Sequence, residues 1–323
     1  MPGIAELYGG SVKNMEDGRT MRVVITGASS FLGRALVREL EKNGSGRFEI
    51  TALRHSFEEA PKQLPEQADA WVHFAWAGVG SAGRSDRSIQ DYNIEMSMAA
   101  LKKAAELGCT RFLFAGSQAE YGRAEPAEEI LTDGKLPEKI VLRQREDAVC
   151  LPQSKYGKAK LAFGQRAARW TADWNADDVP QRLRFIHMRI FSVYGPGDHA
   201  GSLLQSCMEH FRKNETMEFG NCTQDWDYLY IDDAARAVSL LLQSETAEGI
   251  YNAASGDIRP LREYVGEVKK LLHSQSRLLF GVRGDNAEGA VSLRPSVRKI
   301  REAVGFYPNI SFSEGIRRMN EAE

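Results

Sequence analysis

Runs of β-branched and aromatic residues recur along the first two thirds of the chain, each followed by a turn and then an amphipathic stretch. Met21-Arg22-Val23-Val24-Ile25-Thr26 predicts a first buried strand, and Leu36, Val37 and Leu40 behind it mark one face of a helix. Phe48-Glu49-Ile50-Thr51-Ala52-Leu53 predicts the second strand, and Ala70-Trp71-Val72-His73-Phe74-Ala75 the third, ahead of an amphipathic helix over 88–107. Arg111-Phe112-Leu113-Phe114-Ala115 reads as the fourth, a helix covers 156–174, and a fifth strand runs over 183–190. Strand alternating with helix in this way predicts an α/β chain on a doubly wound parallel sheet.

Beyond residue 195 the alternation breaks into short pieces. A helix is expected near 200–213, strands at Met217-Glu218-Phe219 and Tyr228-Leu229-Tyr230-Ile231, and a helix from Asp232. Gly249-Ile250-Tyr251-Asn252-Ala253 looks like a sixth strand returning to the main sheet. The expected organisation is a tail over 1–20, a nucleotide-binding domain over 21–194 that the 249–253 strand rejoins, and a smaller mixed α/β lobe over 195–323. The polar segment 123–150 is long for a connection and reads as a flap or an inserted hairpin. In the tail, Tyr8-Gly9-Gly10-Ser11-Val12-Lys13-Asn14 resembles a phosphate-binding loop of triosephosphate isomerases. Such a loop works only inside its barrel, and no barrel precedes it, so it carries no functional expectation.

The first strand runs straight into Gly27-Ala28-Ser29-Ser30-Phe31-Leu32-Gly33. Strand, glycine turn and helix in that order suit a pyrophosphate: amides and the positive end of the helix dipole meet anionic oxygen, and Gly27 lets the backbone approach. The spacing is Gly-x-x-Gly-x-x-Gly with Ser30 in the middle glycine's place. The second strand ends in Arg54, where an NAD site usually places an acid for the ribose hydroxyls. A guanidinium there attracts a 2′-phosphate, so NADP(H) is the preferred cofactor and NAD(H) the alternative. Ligands of parallel sheets bind outside the carboxyl ends of the strands, which brings Ser117 to the Gly27 turn. His73, in mid-strand, reads as a hydrogen-bonded core histidine. Tyr156 and Lys160, four residues apart, share one helix face, and a cation beside a phenol lowers the cost of a phenolate that otherwise forms near pH ~10. By itself that spacing also fits an aromatic on a core stripe beside a solvated lysine.

Composition narrows the picture further. With 42 Lys+Arg against 44 Asp+Glu in 323 residues and no basic block, nothing points to nucleic acid or a membrane surface. The longest apolar runs fall far short of the roughly 20 residues that span a bilayer. Cys109, Cys150, Cys207 and Cys222 lack Cys-x-x-Cys spacing and the histidines are dispersed. Neither a metal site nor a disulfide framework is expected, and a reduced, cytoplasmic setting is.

Taken together, the Thr26 to Gly33 turn, His73-Phe74-Ala75, Asn93, Gly116-Ser117 with Tyr121-Gly122, Tyr156-x-x-x-Lys160 and Arg189-Ile190-Phe191-Ser192-Val193-Tyr194-Gly195-Pro196-Gly197 follow an established order and spacing. In these motifs the chain resembles the extended short-chain dehydrogenases over almost everything after residue 20. Gly220-Asn221-Cys222-Thr223-Gln224-Asp225-Trp226-Asp227-Tyr228, and Lys299 with Gly305-Phe306-Tyr307-Pro308, resemble the nucleotide-sugar epimerase and dehydratase branch. The resemblance implies a Rossmann domain holding NAD(P), with Phe74, Ala75 and Asn93 among its contacts, and a carboxyl-terminal lobe holding a nucleoside-diphosphate sugar. It implies Tyr156 as acid/base, Lys160 on the nicotinamide ribose and lowering the tyrosine pKa, Ser117 on the reacting sugar oxygen, and a homodimer.

Departures from the pattern bear on the reaction. Dehydratases of this branch place an Asp-Glu pair after the serine or threonine; here stand Gln118 and Ala119. That argues against dehydration and for redox at one carbon, or epimerisation through a ketone. Trp226 replaces an arginine on the diphosphate and Ser192 an asparagine; Trp226 fits stacking on a base or sugar as well as core packing. Gln118, Ser192, Trp226 and Arg294 are expected at the sugar nucleotide, with Arg294 and Arg189 the candidate replacement cations. The Ser117 and Trp226 segments look most like the CDP-abequose synthase type of 4-keto-sugar reductase. The expected activity is NADPH-dependent reduction of a nucleotide-linked 4-keto sugar, with 4-epimerisation as alternative and a non-catalytic NAD(P)-binding scaffold as the remote one.

Overall fold

The computed structural model describes residues 20–42, 46–53, 63–131, 139–177, 179, 181–284 and 291–322. The tail up to residue 19 with its loop motif, and Arg54, lie outside them. β1 (Met21–Thr26) turns into α1 (Phe31–Lys42), and β2 (Phe48–Leu53) follows. β3 (Ala70–His73) leads through the short α2 (Ser81–Arg84) into α3 (Arg87–Glu106) and β4 (Arg111–Ser117). Then come β5 (Ala127–Leu131), β6 (Lys139–Arg143), α4 (Lys155–Ala176), β7 (Arg184–Ile190) and β8 (Ser192–Tyr194). The chain continues with α5 (Leu203–Arg212), β9 (Met217–Glu218), β10 (Asp225–Trp226), β11 (Tyr228–Tyr230), α6 (Ile231–Gln243) and β12 (Gly249–Ala253). It closes with β13 (Arg259–Pro260), α7 (Leu261–Leu271), β14 (Leu278–Leu279), α8 (Arg298–Val304) and α9 (Phe312–Glu321).

The main sheet has six parallel strands in the order β12-β7-β4-β3-β1-β2. Its strands are apolar on both faces because both are covered. Val23, Ile25, Leu113, Ile186 and Met188 pack on one side with Leu36 and Leu40 of α1 and Val238 of α6. Val24, Trp71, Phe112, Phe114 and Phe185 pack on the other with Leu101 of α3 and Phe163 of α4. The Phe114 and Phe163 rings meet edge to face at 4.4 Å, a contact worth about 0.5–1.5 kcal/mol beyond its buried area. This is the doubly wound, Rossmann-like architecture the strand pattern predicts, and the 249–253 strand does rejoin it, beside β7. Strand order reverses between β1 and β3, which puts the ligand crevice at their carboxyl ends.

The 123–150 segment contains the expected hairpin, β5 against β6 with Ile130 opposite Ile140. It is tied to the carboxyl-terminal part of the chain through a bridge between Gln144 and Pro295 and a hydrogen bond from Ser296 Oγ to buried Glu129. The residues after 195 do not form a separate core. One continuous cluster of buried side chains runs from Met21 in β1 through Tyr194, Tyr264 and Phe312 to Met319 in α9. Among the described residues no helix is long and apolar enough to cross a membrane.

Candidate active site

The turn after β1 is built for close approach. Gly27 has φ +71°, and a Cβ on it would stand 2.6 Å from the Ala75 amide nitrogen. The β1 and β3 turns therefore touch, and Phe74 N donates to Thr26 O at 3.0 Å. Ser30 does the work of a helix cap in the middle glycine's place: its Oγ accepts from Gly33 N at 3.1 Å. Phe31 and Leu32 supply the first amides of α1, which have no carbonyl one turn back. Ser29 is exposed, and its carbonyl accepts from Arg34 Nη1 at 2.5 Å. Arg34, which the sequence reading passed over, thus lays a cation along the turn and faces the Gly197 loop. A glycine-lined cradle, open helix amides and a cation fit the pyrophosphate of a dinucleotide.

Behind this turn, His73 is held by Thr26 Oγ1 at 2.7 Å and Ser97 Oγ at 3.0 Å. Burial, with the Lys160 charge, lowers its pKa to about 3, so it stays neutral. Asn93, expected on the cofactor, holds the backbone of Ala77. Its Oδ1 accepts from Ala77 N and its Nδ2 donates to Ala77 O, both at 2.9 Å, which fixes the loop after β3.

Ser117, at the end of β4, caps the short turn Gln118–Glu120, accepting from Ala119 N at 3.2 Å. The first turn of α4 lies against it. A Cβ on Gly157 would fall 2.3 Å from Ala119 O, so only a glycine lets helix and turn approach this far. Ser154 caps α4 by accepting from Gly157 N at 3.1 Å. Tyr156 and Lys160 are both buried at this contact, and Tyr156 lies near enough to Ser117 for the serine to favour its ionised form. The structure therefore brings Ser117, Tyr156 and Lys160 together.

Their electrostatics differ from the expectation. Burial raises the Tyr156 pKa above its ordinary value. The opposing influences are the Arg84 charge and hydrogen bonding with Ser117 and Arg84. The Lys160 ammonium, expected beside the phenol, is directed elsewhere. Its Nζ donates to Ala115 O at 2.8 Å and sits 3.8 Å above the Trp76 ring, while the Tyr156 ring centroid is 5.7 Å away. Burial brings the Lys160 pKa down to about 7, against the raising effect of Glu120.

Glu120 is the second residue that sequence reasoning missed. It is fully buried and accepts from Ser117 N at 2.8 Å, His187 Nε2 at 3.0 Å and Arg189 Nε at 3.1 Å. Burial alone would lift its pKa; His187, Arg189 and the Ser117 amide overcome that and hold it below the usual value. Arg189 also donates to Glu146 O and stacks over Tyr121, so it is committed beneath the site and is not a replacement cation for a substrate.

The remaining predicted residues form other groups. Arg294 Nε donates to Asp225 Oδ2 at 2.6 Å, so this candidate cation is already ion-paired. Trp226, next to Asp225, has a buried indole Nε1 without a partner among the described residues, and its ring lies 6.3 Å from Tyr228. Half-buried Ser192 pairs in register with Tyr228 across β8 and β11. Arg143, on the hairpin, is half-buried and feels the charges of Glu129, Arg294 and Asp225. Gln118 accepts from Ser117 Oγ at 3.3 Å, which leaves it beside Ser117 and Tyr156. Among the described residues no cluster of three metal-ligating side chains occurs.

A family model described as NAD dependent epimerase/dehydratase matches residues 23–254, most of the chain. The chain belongs to this family. It is thus an NAD(P)-dependent enzyme of nucleotide-sugar chemistry. Full-length relatives within it include UDP-N-acetyl-alpha-D-glucosaminuronate decarboxylase of Bacillus cytotoxicus, 23% identical over 92% of this chain and 95% of its own. The dTDP-4-dehydro-6-deoxyglucose reductase of Escherichia coli is 20% identical over 94% and 98%. The CDP-abequose synthase of Salmonella muenchen, the type its motifs resemble, is 25% identical over 42% and 46%. Among solved structures, RMD from Pseudomonas aeruginosa complexed with NADPH shares the fold, with TM-score 0.74 and 21% identity over 94% of this chain and 98% of its own.

Proposed function

We propose that the protein reduces the 4-keto group of a nucleoside-diphosphate hexose with NADPH. The observation that carries this reading is the pairing of Tyr156 with Ser117 beside an amide and a methyl group, Gln118 and Ala119, where water elimination needs a second acid and base. One proton donor suffices for one carbonyl. Burial keeps the Tyr156 phenol protonated at neutral pH, the state required to give a proton to a ketone oxygen. In this reading Ser117 Oγ hydrogen-bonds the same oxygen as charge develops. The bound nicotinamide supplies the hydride. Lys160 holds its ribose, and the Gly27 turn, Ser29, Ser30, Phe31, Leu32 and Gly33 hold the pyrophosphate, with Phe74 and Ala75 alongside. Arg54 favours a 2′-phosphate and so NADP(H) over NAD(H).

In this reading residues 21–194 with the 249–253 strand carry the cofactor and residues 195–323 mainly the sugar nucleotide. Trp226 offers the accessible part of its ring to that ligand, with Gln118, Ser192 and the outer nitrogens of Arg294. The working unit is a homodimer. Purified protein mixed with NADPH and a CDP- or dTDP-linked 4-keto-6-deoxyhexose tests the reading. Stoichiometric loss of nicotinamide absorbance is expected; isomerisation of the sugar with no net change in cofactor would replace it with a 4-epimerase.

A further inference from the structure

Arg84 ends α2, and the loop that carries it is fixed from below. Buried Gln90 accepts from Trp76 Nε1 and donates to Gly83 O, both at 2.9 Å, while Asn93 clasps Ala77. Gly83 lies so close to Gly78 that a Cβ on it would stand 2.3 Å from Gly78 Cα. The Arg84 stem thus leaves from a set position although the side chain is exposed. Its guanidinium carbon lies 4.4 Å from the centroid of the Tyr156 ring, and among the described residues it has no carboxylate ion pair.

The other groups facing Tyr156 do less for a phenolate. Lys160, on its own helix, turns its Nζ to Ala115 O and Trp76. Trp76 meets the ring edge-on at 6.3 Å and brings no charge. Ser117, from β4, brings a hydroxyl that favours the ionised form but no charge, and Glu120, from the following turn, brings a negative charge that opposes ionisation. Arg84 is the cation that reaches the phenol from a neighbouring element.

We propose that Arg84 is a positioning residue for the proton transfer at Tyr156, the cation beside which its phenolate forms. The proposal rests on the reading of Tyr156 as acid/base. As hydride reaches the carbonyl carbon, the Tyr156 O–H bond breaks and the ketone oxygen takes the proton. The phenolate left behind lies next to the guanidinium until solvent returns a proton. A fixed opposite charge within a few ångströms favours the ionised form, and exposure of Arg84 makes that effect moderate and salt-sensitive.

The test uses the full chain with 3,5-difluorotyrosine at position 156, whose phenol is intrinsically more acidic, and follows its ionisation by fluorine NMR. The titration midpoint is expected to move upward in Arg84→Gln and to return in Arg84→Lys. An unchanged midpoint in Arg84→Gln overturns the proposal, and this readout needs no turnover, so it stands apart from the reductase assay. With the natural tyrosine, Arg84→Gln is expected to lower kcat roughly tenfold at neutral pH with little change in the KM of the sugar. A raised KM with kcat preserved would make Arg84 a substrate anchor instead and sink the proposal.

Discussion

Two groups of buried charge meet at Ser117, and they are built in opposite ways. Beneath it, Glu120, His187 and Arg189 form a closed set: the carboxylate accepts from the Ser117 amide, the imidazole and the guanidinium. Beside it, Lys160 is just as buried but has a carbonyl and an aromatic face for partners, and no carboxylate ion pair among the described residues. A buried charge with its counter-charge holds structure, while one left without it is kept at a cost that structure does not explain. The difference separates the floor of the site from its chemistry.

Breaking the floor should do the most damage to the fold. Glu120→Ala leaves His187 and Arg189 buried without their acceptor and is expected to cost about 3–5 kcal/mol in urea unfolding. A loss below about 1 kcal/mol would mean the set is not closed. Removing the hydroxyl on the other side should spare the fold and remove the reaction. Tyr156→Phe is expected to lower turnover at least roughly a hundredfold with NADPH binding retained; an unchanged rate would hand the proton to another group.

The smallest effect has the opposite sign. The Lys160 pKa of about 7 lies below its ordinary 10.5, so the unfolded chain binds the extra proton between those values. Wild-type stability from this group therefore rises with pH across that window, and the cost of burying the charge is in full force below pH about 7. Lys160→Met should stabilise the cofactor-free protein by about 1–3 kcal/mol at pH 6 and by progressively less toward pH 10, measured as the change in urea midpoint. A variant less stable than wild type at pH 6 would place Lys160 with the structural charges.

Local chemistry was readable wherever neighbours in sequence are neighbours in space. The β-branched run of β1, the glycine turn and the 249–253 strand follow from residues a few positions apart, and α4 differs from its expected bounds by one or two residues. The Glu120 set was not readable, because His187 and Arg189 are 67 and 69 residues away and meet it only through the β4 and β7 pairing. Arg84 gives no local signal either. Its reach to Tyr156 depends on how Gln90 and Asn93 brace a loop. The direction of the lysine was not readable for a related reason: four-residue spacing puts two stems on one face, but Ala115 O and Trp76 decide where the ammonium goes.

Gly157 bears on how such a site can be altered. Because its missing side chain sets the separation between α4 and the Ser117 turn, the distance between the two hydroxyls is encoded by a residue that touches neither. Gln118 and Trp226 are open to exchange in a search for new substrates. Position 157 is not: a Cβ there would stand 2.3 Å from Ala119 O, so any side chain forces apart the helix end that carries Tyr156 and the turn that carries Ser117.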